Sequence, residues 1–197
     1  NIEIELGSEM MGKIVYFTGG ARSGKSTQAE RYIFMRNYEH KIYIATAIAF
    51  DDEMKARVQK HKEQRGENWI TIEGYKNLVE QIKPHVKAGG VILLDCLTNM
   101  VTNLMIMEKD YDWDHVSNEE VEKLEQSITK EVITLLEYLK SIDMDTVVVS
   151  NELGMGLVPA YALGRHFRDI CGRMNQLVAG YSREAYFVVS GMMMKLK

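Results

Sequence analysis

The fold class predicted for this chain is three-layer α/β, with a mostly parallel sheet and helices on both faces. Three observations predict it. Short apolar runs alternate with longer helical patterns along the chain. Each run is apolar at successive positions, as strands covered on both faces are. A glycine-rich turn joins the first run to a helix-prone segment, and folds of this class hold their ligands beyond the carboxyl ends of the strands.

Residues 1–12 are expected to be an N-terminal extension: Asn1–Leu6 could form an extra strand, and nothing functional rests on it. Residues 13–197 read as a single nucleotide-binding catalytic domain. Its first strand is Ile14-Val15-Tyr16-Phe17-Thr18, followed by Gly19-Gly20-Ala21-Arg22-Ser23-Gly24-Lys25-Ser26, which fits the phosphate-loop pattern G-x-x-x-x-G-K-[ST]. Successive N–H groups of such a loop point at phosphate oxygens, and the positive end of the next helix adds to the attraction. Lys25 would reach the β- and γ-phosphates, and Ser26 would ligate Mg²⁺.

Further strands are expected at Ile42–Thr46, Val91–Asp95, Thr146–Ser150 and Ala185–Ser190. Asp95 closes its apolar run as a Walker B carboxylate does, carried to the end of a buried strand where it can hold Mg²⁺. Ser117-Asn118-Glu119-Glu120 is a capping box, and Val121, Leu124, Ile128, Val132, Leu135 and Leu139 follow at helical spacing. The acidic segment Glu108–Asp114 reads as a solvated loop, with a lid as the other option.

At 197 residues the chain can bury a substantial core, and its 46% hydrophobic and 26% charged content is that of a soluble globular protein. A formal net charge of −4 disfavours nonspecific binding to nucleic acid or an anionic membrane. No apolar run has the length of a membrane span, so no membrane insertion is expected. Cys96 and Cys171 lack C-x-x-C or histidine-paired spacing and read as reduced core thiols, which fits a cytoplasmic protein.

The second candidate site is the segment Asp51–Arg65. Its first three residues are acidic, which suits a helix N-terminus, and Met54, Val58 and His61 fall on one face. The spacing alone fits a packed core histidine. Arg57 and Arg65 nevertheless stand one turn either side of His61, with Lys60 and Lys62 flanking it. Such a cluster keeps the imidazole neutral and nucleophilic and draws phosphate oxygens, so His61 could take a phosphoryl or nucleotidyl group.

The Gly19–Ser26 loop, Tyr43-Ile44-Ala45-Thr46, Asp52-Glu53-Met54 with Arg57, His61 and Arg65, and Trp69-x-Thr71-x-Glu73 together resemble a known family. So do Leu93–Thr98, Asn151–Pro159, Arg165–Asp169, Gly172–Gln176 and Val189-Ser190-Gly191. That family is the bifunctional adenosylcobinamide kinase/adenosylcobinamide-phosphate guanylyltransferases of cobalamin biosynthesis, and the resemblance runs from Lys13 to Lys197.

The resemblance implies a P-loop NTPase domain of RecA-like type, usually a homotrimer, performing two reactions. One phosphorylates adenosylcobinamide with a nucleoside triphosphate, ATP or GTP. The other transfers GMP from GTP to the phosphate product through a histidine-linked GMP, which by motif position is His61, releasing pyrophosphate. It also implies nucleotide contacts at Gly19, Gly20, Ala21, Arg22, Ser23, Gly24, Lys25 and Ser26, and at Ala45, Thr46 and Ala47. Lys62, Glu63, Gln64, Arg65, Glu73 and Asp95 complete that set. A carboxylate at Glu73 can accept two hydrogen bonds from guanine N1–H and its 2-amino group, which adenine cannot offer.

Two other readings use the same loop. A single-function small-molecule kinase would keep Gly19–Ser26 and Asp95 and give His61 no chemistry. A regulatory GTP switch would need N-K-x-D and a D-x-x-G after a strand, whereas Asp169-Ile170-Cys171-Gly172 lies in a helical region. His166 is expected to be structural, with Arg165, Arg168 and Arg173 as secondary candidates for phosphate. Met192-Met193-Met194 is expected to pack in the core or an interface.

Overall fold

A computed structural model describes residues 11–47 and 68–197. Their elements follow the expected alternation. Strand β1 (Ile14–Gly19) leads to helix α1 (Lys25–Phe34) and β2 (Lys41–Ala45). Strand β3 (Trp69–Glu73), the short helix α2 (Leu78–Ile82), β4 (Gly90–Asp95) and α3 (Leu97–Ile106) follow. The chain then runs through α4 (Asn118–Ser141), β5 (Met144–Asn151), α5 (Ala162–Tyr181) and the hairpin β6 (Glu184–Val189) to β7 (Met192–Lys195).

The strands form one seven-stranded sheet in the order β3-β2-β4-β5-β1-β6-β7, and every pairing except β6 with β7 is parallel. Parallel strands require crossovers, and helices supply them on both faces. One core layer packs α1 against Val15, Phe17, Tyr43, Val91, Leu93 and Val147. The opposite layer packs α3, α4 and α5 against Ile14, Ile42, Ile44, Ile92, Leu94 and Val148. Alternate residues of each strand therefore face different helices, which is why those runs are apolar throughout.

The capping box of α4 forms as expected. Ser117 Oγ accepts the Glu120 N–H at 3.2 Å, and the Glu120 carboxylate accepts the Ser117 N–H at 3.2 Å. Leu124, Ile128, Val132, Leu135 and Leu139 are all buried along one face. Cys96 and Cys171 are buried free thiols; burial, then Asp95, raises the Cys96 thiol, and burial pushes Cys171 up to about 12. Both are held protonated, so neither is a ready nucleophile.

One expectation narrows and another changes. Of the core or interface expected for Met192, Met193 and Met194, the core is ruled out: they form β7, antiparallel at the sheet edge, and are 63%, 44% and 49% exposed. The segment 108–114 is not simply solvated. Tyr111 and Trp113 sit 5.2 Å apart, packed against the α3–α5 layer, while its aspartates face outward.

Below the sheet's amino end, Lys13 Nζ meets Glu184 at 2.5 Å, and Tyr32 and Tyr186 donate to the same carboxylate at 2.9 and 2.8 Å. This cluster ties the first strand to β6. It lies at the end of the strands opposite the glycine loop.

Candidate functional site

The site grows from the carboxyl ends of β1, β2, β4 and β5. Gly19 ends β1 in a crowded position: a Cβ there would lie 2.4 Å from the Val188 carbonyl oxygen and 2.6 Å from Ser23 Oγ. Only glycine fits. The loop then turns, with the Ser23 N–H on the Gly20 carbonyl at 3.3 Å, and reaches Gly24 at φ 91°, a left-handed conformation that favours glycine. Helix α1 begins at Lys25, so the N–H groups of its first turn open onto the loop.

Lys25 bends back so that Nζ donates to the Gly20 carbonyl at 3.1 Å. Burial lowers its pKa, while the charge of Asp95 opposes that shift. Ser23 Oγ is buried inside the loop with no hydrogen-bond partner among the described residues, and Ser26 is half-buried at the second helical position.

A second layer of contacts fixes this loop from outside. The turn between β6 and β7 contributes Gly191, whose N–H donates to the Ser23 carbonyl at 2.7 Å and whose carbonyl accepts from the Gln28 amide at 2.7 Å. A Cβ on Gly24 would come 3.2 Å from Gly191 Cα. On the other side, the Glu152 N–H donates to the Gly19 carbonyl at 2.9 Å.

The β2 and β4 ends are joined by Thr46. Its hydroxyl donates to the Cys96 carbonyl at 2.6 Å and accepts the Cys96 N–H at 2.8 Å, and its own carbonyl accepts the Asn103 amide at 2.6 Å. Asp95, the last residue of β4 and next to Cys96, accepts a hydrogen bond from the Tyr43 hydroxyl at 2.9 Å. The β5 end is held similarly. Ser150 donates to the Asn175 side chain at 2.6 Å, Asn175 donates to the Asn151 carbonyl at 3.0 Å, and Thr98 Oγ accepts the Asn151 N–H at 2.8 Å.

Glu152 then folds over its own loop, accepting N–H groups of Gly154 at 2.6 Å and Met155 at 3.2 Å. Arg165 and Arg168 donate to loop carbonyls: Arg165 to Pro159 at 3.1 Å and Ala160 at 2.7 Å, Arg168 to Leu157 at 3.1 Å and to Gly154. Arg173 pairs with Glu125 of α4, 2.9 Å from Nη2 to Oε2. These three arginines are engaged in structural contacts, and the His166 ring lies 6.1 Å from that of Trp113, tilted by 41°.

The structure therefore brings together Gly19–Ser26, Ala45, Thr46, Ala47 and Asp95 along one edge of the sheet. Glu73 lies on the same edge but at the end of β3, in register with Ala45. Four strand steps separate β3 from β1, about 19 Å at roughly 4.8 Å per step. His61, Lys62, Glu63, Gln64 and Arg65 lie outside the described residues. Sequence reasoning gave no role to Tyr43, Thr98, Asn103, Ser150, Asn175 or Gly191. Tyr43, Thr98, Asn175 and Gly191 stood inside the quoted motifs and Ser150 closed an expected strand, whereas Asn103 lay outside all of them.

For Mg²⁺, the Ser26 hydroxyl and Asp95 carboxylate supply hard oxygen donors of the kind it takes. Among the described residues no group of three His, Cys, Asp or Glu could hold a metal ion. A two-donor set nevertheless fits an ion that keeps waters and completes its shell with phosphate oxygens. Tyr43 holds one Asp95 oxygen, so the carboxylate is oriented without a cation between them. Among the described residues no helix is long and apolar enough to cross a membrane.

Comparison with known proteins fits this arrangement. The chain is 42% identical over 185 residues to the bifunctional adenosylcobalamin biosynthesis protein CobU of Escherichia coli K12, covering 93% of this chain and 99% of that protein. It is 35% identical over 179 residues to the corresponding protein CobP of Pseudomonas aeruginosa, covering 91% and 94%. A solved structure from Pyrococcus horikoshii OT3, 7% identical, superimposes with a TM-score of 0.52 over 96% of this chain and 88% of that one, a likeness of fold alone. The model of the cobinamide kinase / cobinamide phosphate guanyltransferase family matches residues 15–196, from the first strand and its phosphate loop through the terminal hairpin, and the chain belongs to that family.

Proposed function

We propose that this chain performs both reactions of its family at one phosphate loop, and that the second passes through GMP bound to His61. The observation that carries the shared site is the placement of Lys25 at the start of α1 and Asp95 at the end of β4, beside a glycine loop clamped from both sides. In the kinase step the cobinamide hydroxyl attacks the γ-phosphorus, its proton leaves, and the nucleoside diphosphate departs. Loop N–H groups and Lys25 hold the phosphates in line and stabilise the charge as it spreads.

In the transfer step a His61 ring nitrogen attacks the α-phosphorus of GTP, forming an N–P bond as the bond to pyrophosphate breaks. A phosphate oxygen of cobinamide phosphate then attacks the same phosphorus, releasing His61 and giving the GDP-linked product. Splitting the transfer avoids holding GTP and a bulky corrinoid phosphate together. Ser26 and Asp95 would hold Mg²⁺, which when bound neutralises phosphate charge. Arg22 would add to the stabilisation of the leaving pyrophosphate.

Glu73 would read guanine. Its position at the β3 end, well away from the P-loop, directs a nucleotide bound there along the strand ends across β2 and β4, past Ala45–Ala47. Lys62, Glu63, Gln64 and Arg65 would complete that nucleotide site. The substrates proposed are adenosylcobinamide and its phosphate, with ATP or GTP as phosphoryl donor, acting in the cytoplasm as a homotrimer. Residues 1–12 would be an extension to one catalytic domain, 13–197.

Lys25→Ala tests the shared site. Both activities are expected to fall together by at least a hundredfold in a protein that unfolds at the parental temperature. Near-parental phosphorylation of cobinamide by that variant would place the phosphates elsewhere.

A further inference from the structure

The geometry points to Tyr43 as a positioning residue that sets the Asp95 carboxylate for metal-dependent nucleotide binding. This rests on the reading of Asp95 given above. Parallel register pairs Tyr43 with Leu93 and Ala45 with Asp95, so the period of two places Tyr43 and Asp95 on the same face of the sheet, diagonally adjacent. That face is the one covered by α1, the helix that starts at Lys25.

A phenol is long enough to span the diagonal. The Tyr43 hydroxyl donates to Asp95 Oδ2 at 2.9 Å, while its ring, buried at 7% exposure, meets Trp69 edge-on at 6.3 Å and 81°. Lys41 in turn lies 5.9 Å over the Trp69 ring. The phenol is therefore fixed by packing, so the hydrogen bond costs little additional side-chain entropy. A carboxylate has two oxygens. With Oδ2 engaged, the rotation of the group is set, and the other oxygen is left for a cation or its water. Without the phenol the carboxylate is free to turn away from that setting.

Tyr43→Phe removes one oxygen and keeps the ring against Trp69. The measurement is the affinity for the β,γ-methylene analogue of ATP by calorimetry, in Mg²⁺ and in EDTA, for the parental protein, Tyr43→Phe and Asp95→Asn. The gain in affinity on adding Mg²⁺ is expected to shrink at least threefold in Tyr43→Phe, with the EDTA value within twofold of parental. In kinase assays the half-saturating Mg²⁺ concentration should rise by a larger factor than kcat falls.

Asp95→Asn should lose the Mg²⁺ gain altogether. A full Mg²⁺ gain in Tyr43→Phe, alongside its loss in Asp95→Asn, would overturn the role of Tyr43 alone. An equal loss of affinity with and without Mg²⁺ in Tyr43→Phe would make the contact merely structural and overturn it as well. A full Mg²⁺ gain in Asp95→Asn would instead overturn the reading of Asp95.

Discussion

Individual side chains divide between the two ends of the sheet. At the amino end, burial raises the Glu184 carboxyl, but hydrogen bonds from Lys13, Tyr186 and Tyr32 outweigh it and hold the group at about 2. Its folded pKa lies below the unfolded one, so the stability it adds is full above the ordinary glutamate range and is lost as pH falls toward 2. With the side chain 16% exposed, that contribution is at most about 3 kcal/mol. Urea unfolding should show the parental midpoint falling between pH 6 and pH 3, with a smaller fall in Glu184→Gln; identical slopes would refute the linkage. At the carboxyl end, Glu73→Gln tests base choice. Weakening charge-assisted hydrogen bonds worth about 1.5–3 kcal/mol should reduce discrimination for GTP over ATP in nucleotide transfer roughly tenfold or more. Unchanged preference would move guanine recognition to another residue.

At the scale of elements, the site is a set of strand ends held in place by polar latches. Thr46 joins β2 to the end of β4, Asn175 brings α5 to β5, and Gly191 brings the terminal hairpin to the P-loop. The loop after β5 is another such case. It exposes Met155, Leu157, Val158 and Tyr161, yet its carbonyls are held by Arg165 and Arg168. Arg168→Ala should leave global stability within about 1 kcal/mol and increase the rate of limited proteolysis within residues 153–161. An unchanged cleavage rate would show that Glu152 and Arg165 suffice to hold the loop. Strands β1, β2, β4, β5 and β6 were legible because a strand covered on both faces has to be apolar throughout. Strand β7 was not, since three exposed methionines carry no β-branched signal and no alternation. The P-loop and Asp95 were legible because their chemistry is local in sequence. The latches were hidden because Tyr43 meets Asp95 only through parallel register, and Thr98 meets Asn151 only where α3 docks on the end of β5, across 52 or more positions.

For the whole molecule, a single mostly parallel sheet lines up phosphate loop, Asp95 carboxylate and Glu73 along one edge, the edge on which both reactions are proposed to draw. GMP is proposed to pass through His61, because only the transfer step needs a covalent link, while the kinase step needs just a positioned hydroxyl and the P-loop. Asn in place of histidine keeps approximate size and polarity while removing the nucleophilic ring. The most direct measurement incubates the parental protein, His61→Ala and His61→Asn with GTP labelled at the α-phosphate, with γ-labelled GTP as the control for simple phosphorylation. The parental protein should acquire α-label that is labile in acid and stable in mild base, as a phosphoramidate is. Both variants should acquire none and make no GDP-linked product, while still phosphorylating cobinamide. Equal α-labelling of parent and variants would contradict His61 as the nucleophile, and an unlabelled parent that still makes the GDP-linked product would contradict the covalent route itself.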